Sequence, residues 1–313
     1  MDIAPGHNTI ARLPSRNVEV YTSENSVIAG FWQYGRVTWV TFFAWLTNVL
    51  CVPVDWAIFE YDVETRRVGE EKRSGDTIVQ PGHYVLLTID GGPTRVFVTS
   101  ERARPRIPTH SETPARDNHY RLRSRARDGK CLITGLETNT YSRLKAAHIF
   151  PRAHLTEGYA SMITDTLDEA YLGGSSKIDS VQNIITLRSD LHDSWDNYEL
   201  GVDPDNDYRI TAFVNGNADI DGLHLDLSHI QDPGLHPIDE LFRDHFMQGL
   251  FQHVKGEADL TWDYDDFGDA LGEGNFDLSK TEMWGTRQGK EYFELALEDR
   301  LLDHRVSQEY PRM

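Results

Sequence analysis

Four short runs hold the residues that could do chemistry: 131–135 (CLITG), 146–151 (AAHIFP), 181–192 (VQNIITLRSDLH) and 193–196 (DSWD). The first reads as a short strand ending in a turn at Gly135. The second reads as a strand stopped by Pro151, which has no N–H to continue a ladder, so His148 falls near its end. Residues 184–187 form a third apolar run. Ser189 or Asp190 then offers an N-cap side chain for a short helix. On that helix His192 and Asp196 stand four apart and share a face, a spacing at which they can hold one divalent cation between them. The pattern is a strand histidine, a loop asparagine at Asn183, and a His/Asp pair on a helix.

In that order these elements resemble the HNH nuclease family, whose ββα-metal fold sets a strand histidine, a loop asparagine and a helix histidine around one cation. The flanking Cys-x-x-Thr-Gly and Ala-Ala-His-Ile runs are similar to its fungal-type branch, and the core resemblance spans 120–215. The resemblance implies that His148 takes a proton from water, a task suited to imidazole near neutral pH. It implies that Asn183 orients that imidazole or its strand. A cation on His192, with Asp196, would stabilise charge on the phosphorane and the departing 3′ oxygen. Magnesium or manganese is the implied ion, with zinc as an alternative. Arg188, Arg152 and Lys145 are candidates for gripping phosphates. Where many family members place a second ligand before the strand histidine, this chain has Ala147, as the fungal-type branch does. Asp193 reads as a solvated helix carboxylate, and His154 as a lesser candidate.

The rest of the chain must position this segment. It has 313 residues and a formal charge of −19. That sign excludes coating of nucleic acid by bulk attraction. The acidity is concentrated beyond residue 200, whereas 101–130 is basic. Two cysteines, Cys51 and Cys131, exclude a disulfide scaffold and a four-thiolate zinc site. No secretory signal is visible, so the expectation is an intracellular protein, nuclear or cytoplasmic, with reduced thiols. The apolar stretch 37–54 is broken by Thr38, Thr41, Thr47, Asn48 and Pro53, and reads as a buried helix running into a strand, not as a membrane span.

The fold expectation is α+β. Residues 1–16 are a flexible arm. Residues 17–100 read as two strands around an SENS turn, a helix, and strands at 56–63 and 83–89 separated by a charged loop, the order of a small β-grasp-like domain. Residues 101–118 are a linker, and 119–215 the ββα-metal (HNH) core. Residues 216–313 form an acidic helical extension packed on that core, with helical stripes at 237–254 and 290–306 and a solvated acidic run at 262–277. His245 and His253 read as packing residues. Arg121, Arg123, Arg125 and Arg127 would share one face of a strand but form two i,i+4 pairs on a helix. They are open to two readings, contacts to nucleic acid or partners for the acidic tail.

The function expected from the resemblance is a metal-dependent endonuclease hydrolysing phosphodiester bonds, with DNA as the partner and no membrane. The alternatives are a degenerate scaffold that binds nucleic acid or protein without cutting, and an enzyme repurposed for a small substrate.

Overall fold

The structure, a computed structural model, describes residues 16–104, 106, 119–151 and 177–256. The arm before residue 16, Arg152, His154, residues 107–118, the run 262–277 and the helix expected at 290–306 lie outside the described residues.

Strands β1 (Val18–Tyr21) and β2 (Val27–Phe31) pair antiparallel across a turn in which Asn25 takes a left-handed φ of 69°. Helix α1 (Trp39–Val49) follows, capped by the Thr38 hydroxyl, which accepts from the Thr41 N–H. Its buried face, Trp39, Phe42, Trp45, Leu46 and Val49, repeats every three to four residues and covers the sheet. The chain then enters the two-residue strand β3 (Leu50–Cys51), so the apolar stretch 37–54 is mostly helix α1 and this strand. Among the described residues no helix is long and apolar enough to cross a membrane.

Strands β4 (Trp56–Asp62), β5 (Arg67–Lys72) and β6 (Gly82–Thr88) complete a five-stranded sheet of order β2-β1-β6-β4-β5, with β1 and β6 parallel and the other pairs antiparallel. Strand β5 corrects the expectation of a charged loop. It lies at the sheet edge with nearly every side chain exposed, so it carries no apolar alternation to betray it. Strand β7 (Phe97–Val98) pairs with β3.

Helix α2 (His119–Asp128) holds the arginine series, so the helical alternative holds. Residues 131–135 are a turn and not the expected strand. Cys131 N–H donates to Leu136 O and Gly135 N–H to Cys131 O, and only a single bridge, Lys130 to Glu137, closes the turn. The site itself rides on β8 (Leu144–His148), β9 (Ile184–Arg188) and α3 (Ser189–Asp196), with β8 and β9 antiparallel and His148 opposite Ile184. Helix α3 starts at Ser189 without a side-chain cap, which corrects the expected N-cap at Ser189 or Asp190.

Strands β10 (Leu200–Asp203) and β11 (Arg209–Ala212) form a hairpin against which α4 (Asp239–Gly249) packs, and α4 runs into a wider turn at Leu250–Val254. Phe213 joins the two halves. Its carbonyl accepts from Trp32 N–H at 3.0 Å, and its ring lies 5.8 Å from Trp45 and 5.3 Å from Phe246. Glycine is required where these rings meet: a Cβ at Gly201 would stand 2.8 Å from the Phe246 ring, and one at Gly249 would strike the Phe213 ring. One core therefore lies around α1, Phe213 and Val254, and a second around β8, β9, α3 and α4.

Candidate active site

His148 closes β8, and the strand's alternation decides which way it faces. Ala147 is fully buried in the apolar core, so its neighbour His148 turns to the other side. There the imidazole stands 5.1 Å from the Tyr120 ring, and its Nε2 lies 3.0 Å from Asp179 Oδ1. Both partners of that pair are buried. A carboxylate on one ring nitrogen sets the tautomer and the ring plane, and leaves Nδ1 as the nitrogen that can accept a proton.

Asn183 holds this arrangement from beneath. Its Oδ1 accepts from Phe150 N–H at 2.8 Å, and its Nδ2 donates to Phe150 O at 3.1 Å and Ile178 O at 2.9 Å. Its own carbonyl accepts from Ile149 N–H at 2.8 Å. An amide is the side chain that can both donate and accept in this way; a carboxylate could not serve the two carbonyls. The effect is to tie the exit of the His148 strand to the turn that carries Asp179.

On α3, His192 Nδ1 lies 3.3 Å from Asp196 Oδ2 and 3.7 Å from Asp193 Oδ1. Hydrogen bonding from His192, then the charge of Lys145, holds the Asp193 carboxyl below its ordinary range. The link between strand and helix is Arg106. Its Nη1 donates to His148 O and to Asp196 Oδ1, both at 2.9 Å, its Nη2 donates to Ile149 O, and its guanidinium covers the Tyr198 ring at 4.8 Å. Trp195 Nε1 donates to the same His148 carbonyl at 2.9 Å. The two signature histidines are thus connected through Arg106 and Asp196. Arg106 is only 3 % exposed, and a charge so buried is tolerable only with a partner such as Asp196.

Could these residues hold a cation? Two ligands about 2.1 Å from one ion, at near-right or tetrahedral angles, stand about 3 Å apart. The 3.3 Å between His192 Nδ1 and Asp196 Oδ2 meets that condition. Nitrogen and carboxylate oxygen suit magnesium less than manganese or zinc, though magnesium keeps several waters. Among the described residues no three His, Cys, Asp or Glu side chains gather as a cation site, so His192 and Asp196 are two ligands of a partial set. Ala147 contributes no ligand and lies in the core.

The phosphate-gripping candidates are placed differently. Lys145 is half-exposed on β8, its Nζ 3.7 Å from Asp193. Arg188 is engaged by Asp190 at 2.7 Å and Asp219 at 3.2 Å. His245 and His253 are packing residues as expected. His245 stacks on Trp195 with ring centroids 3.6 Å apart, and burial, then the Arg106 charge, pushes its pKa well below the usual histidine range. Burial lowers His253 to about 4.

Three residues at the site were missed in the sequence. Asp179 precedes the Asn183 motif by four positions with no local pattern to mark it. Arg106 lies in the stretch expected to be a linker, where Arg104, two residues before it, also turns inward and donates Nη1 to both carboxylate oxygens of Asp244. Trp195 lies inside DSWD and could have been flagged as a buried indole needing an acceptor.

Residues 131–203 match the family model of the HNH endonucleases. The match begins at Cys131 and contains His148, Asn183, His192 and Asp196, and covers less than a quarter of the chain. No curated protein and no solved structure matches the chain. An HNH endonuclease segment is therefore set within a mixed chain of helices and strands.

Proposed function

We propose that this chain is a metal-dependent HNH endonuclease of the fungal-type branch that hydrolyses phosphodiester bonds in DNA. The observation that carries the reading is the His148–Asp179 pair held by Asn183, beside the His192–Asp196 pair. His148 Nε2–H donates to Asp179, and Nδ1 takes a proton from water. The hydroxide so formed attacks phosphorus, and the bond to the 3′ oxygen breaks. A divalent cation held by His192 and Asp196 would supply Lewis-acid stabilisation of the negative charge that builds up. Asn183 keeps the strand end in place during the reaction. Lys145 is a phosphate contact, and Arg188 becomes one only on release from Asp190 and Asp219.

The N-terminal unit is read as β-grasp-like, supported by its sheet order and the parallel pairing of β1 with β6. The acidic C-terminal extension is read as packing on the nuclease core, supported by α4 against β10. An intracellular site is supported by the two free thiols, Cys51 and Cys131. The Arg106–Asp196 pair favours a second reading, a scaffold that binds without cutting, because a guanidinium already neutralises one candidate ligand.

The test is a cleavage assay on supercoiled plasmid with magnesium, manganese, zinc or EDTA, for the wild type and for His148→Ala and His192→Ala. Metal-dependent cutting that both variants lose supports the nuclease. A folded wild-type chain that cuts with none of these metals sinks it in favour of the scaffold.

A further inference from the structure

Helix α2 gives its arginines different fates. Arg127 is consumed by the fold: its guanidinium donates to Val181 O, Leu235 O and Ile184 O and pairs with Asp128. The other face carries Arg121 and Arg125, one turn apart. Arg125 gives Nη2 to Leu144 O at 3.0 Å at the start of β8, while its Nε is buried with no partner among the described residues. Its guanidinium lies 5.0 Å over the ring of Tyr141, which is 40 % exposed, and the exposed Arg143 follows two residues later. In the other direction Arg121 lies 5.7 Å over Tyr120, whose ring is 5.1 Å from His148.

No carboxylate pairs with Arg121, Arg125 or Arg143 among the described residues. Burial, then the neighbouring Arg121 charge, lowers the pKa of Arg125. Like charges held one turn apart on a helix destabilise it unless an anion lies between them. In a chain of −19 this is a local cationic strip, and it ends at the candidate base.

We propose that Arg121, Arg125 and Arg143 form a track that grips the phosphodiester backbone running up to His148, with the Tyr141 ring offered to an unpaired base. The proposal rests on the nuclease reading for its direction and adds a binding surface to it. Guanidinium groups suit this work because they meet phosphate oxygens in two-pronged fashion, and exposed aromatic rings accept any base face. Each phosphate neutralised releases counterions, so the track has a signature in salt dependence.

The experiment measures binding of a fluorescent duplex DNA carrying a single-stranded tail by the full chain in EDTA, over a salt series, by anisotropy. Wild type is compared with Arg121→Gln/Arg143→Gln, two positions that donate to no backbone carbonyl among the described residues, and with the triple variant that adds Arg125→Gln. Circular dichroism and Tm confirm folding. The slope of log K against log salt is expected to fall by about 2 in the double variant and about 3 in the triple. A folded double variant with the wild-type slope overturns the track, as does a wild-type chain that binds no DNA. If the plasmid assay shows cutting but the slopes are equal, the nuclease reading stands without the track. If nothing is cut yet the slopes fall as expected, the track stands and the nuclease reading fails.

Discussion

Around α1 the buried side chains are apolar, and Gln33 is the single buried polar group in residues 16–104. Around β8, β9 and α3 the interior holds His148, Asp179, Ser180, Gln182, Asn183, Thr186 and His192, and Arg106 is driven in among them. The first region is stabilised by removing hydrocarbon from water, a term without direction. The second depends on donors and acceptors that must each find a partner at the right distance, and an unpaired one is costly. Cores of the second kind are kept where particular atoms have to be aimed, and here they aim an imidazole and a His/Asp pair.

Breaking the two regions should therefore give different signatures. The largest effect is expected from His148→Ala, which should lower the cleavage rate by about 10²–10⁴-fold in a chain that still folds, at a Tm lowered by the stranded Asp179 carboxyl, read in single-turnover plasmid assays and by circular dichroism. Next, Phe42→Ala should remove about 3–5 kcal/mol of stability by leaving a cavity against Phe31 and Trp45, read by urea unfolding. Arg106→Met should cost about 3 kcal/mol by stranding Asp196 and taking the guanidinium donor from Ile149 O, and Arg106→Met/Asp196→Leu should recover part of it. A double variant no more stable than the single would mean that the pair is not what holds the strand and helix together.

Acid separates the regions further. His253 is lowered from 6.5 to about 4, so the unfolded chain takes up its proton first. Its contribution is whole above pH 6.5 and falls by about 1.4 kcal/mol per pH unit towards pH 4. His245, also lowered by burial, acts in the same sense, whereas Asp203 and Asp221, raised by burial, act in the opposite one. Urea unfolding between pH 7.5 and 4.5 should show this slope, and His253→Gln should flatten it. The smallest effect is expected from Arg188→Gln. Its surface pairs with Asp190 and Asp219 are worth less than about 1 kcal/mol, and DNA affinity should barely change.

How much of this was legible beforehand follows the same division. The apolar periodicity of α1 and the short apolar runs of β1, β4 and β6 mark those elements in the residues themselves. Strand β5, with Arg67, Glu70, Glu71 and Lys72 exposed at an edge, has no such mark. In 131–135 the short apolar run looked like a strand, but Leu132 and Ile133 bury from a turn, since Leu132 N–H donates to Thr186 O. The residues His148, Asn183 and His192 were visible as a motif in order, and the His192–Asp196 pairing followed from helix geometry alone. Arg106 was not, because an arginine in a proline-flanked stretch reads as solvated.

The sequence by itself determined what depends on neighbours along the chain: the helix faces, a strand with His148 at its end, and the spacing of His192 from Asp196. Tertiary structure alone decided that Asp179 meets His148, that Arg106 reaches Asp196 across ninety residues, and that Arg127 is spent on the fold while Arg125 is only half-buried beside Tyr141. Helix and strand periods act over a few residues and leave a pattern in the sequence. A hydrogen bond or ion pair responds only to distance in space, which separation along the chain does not encode.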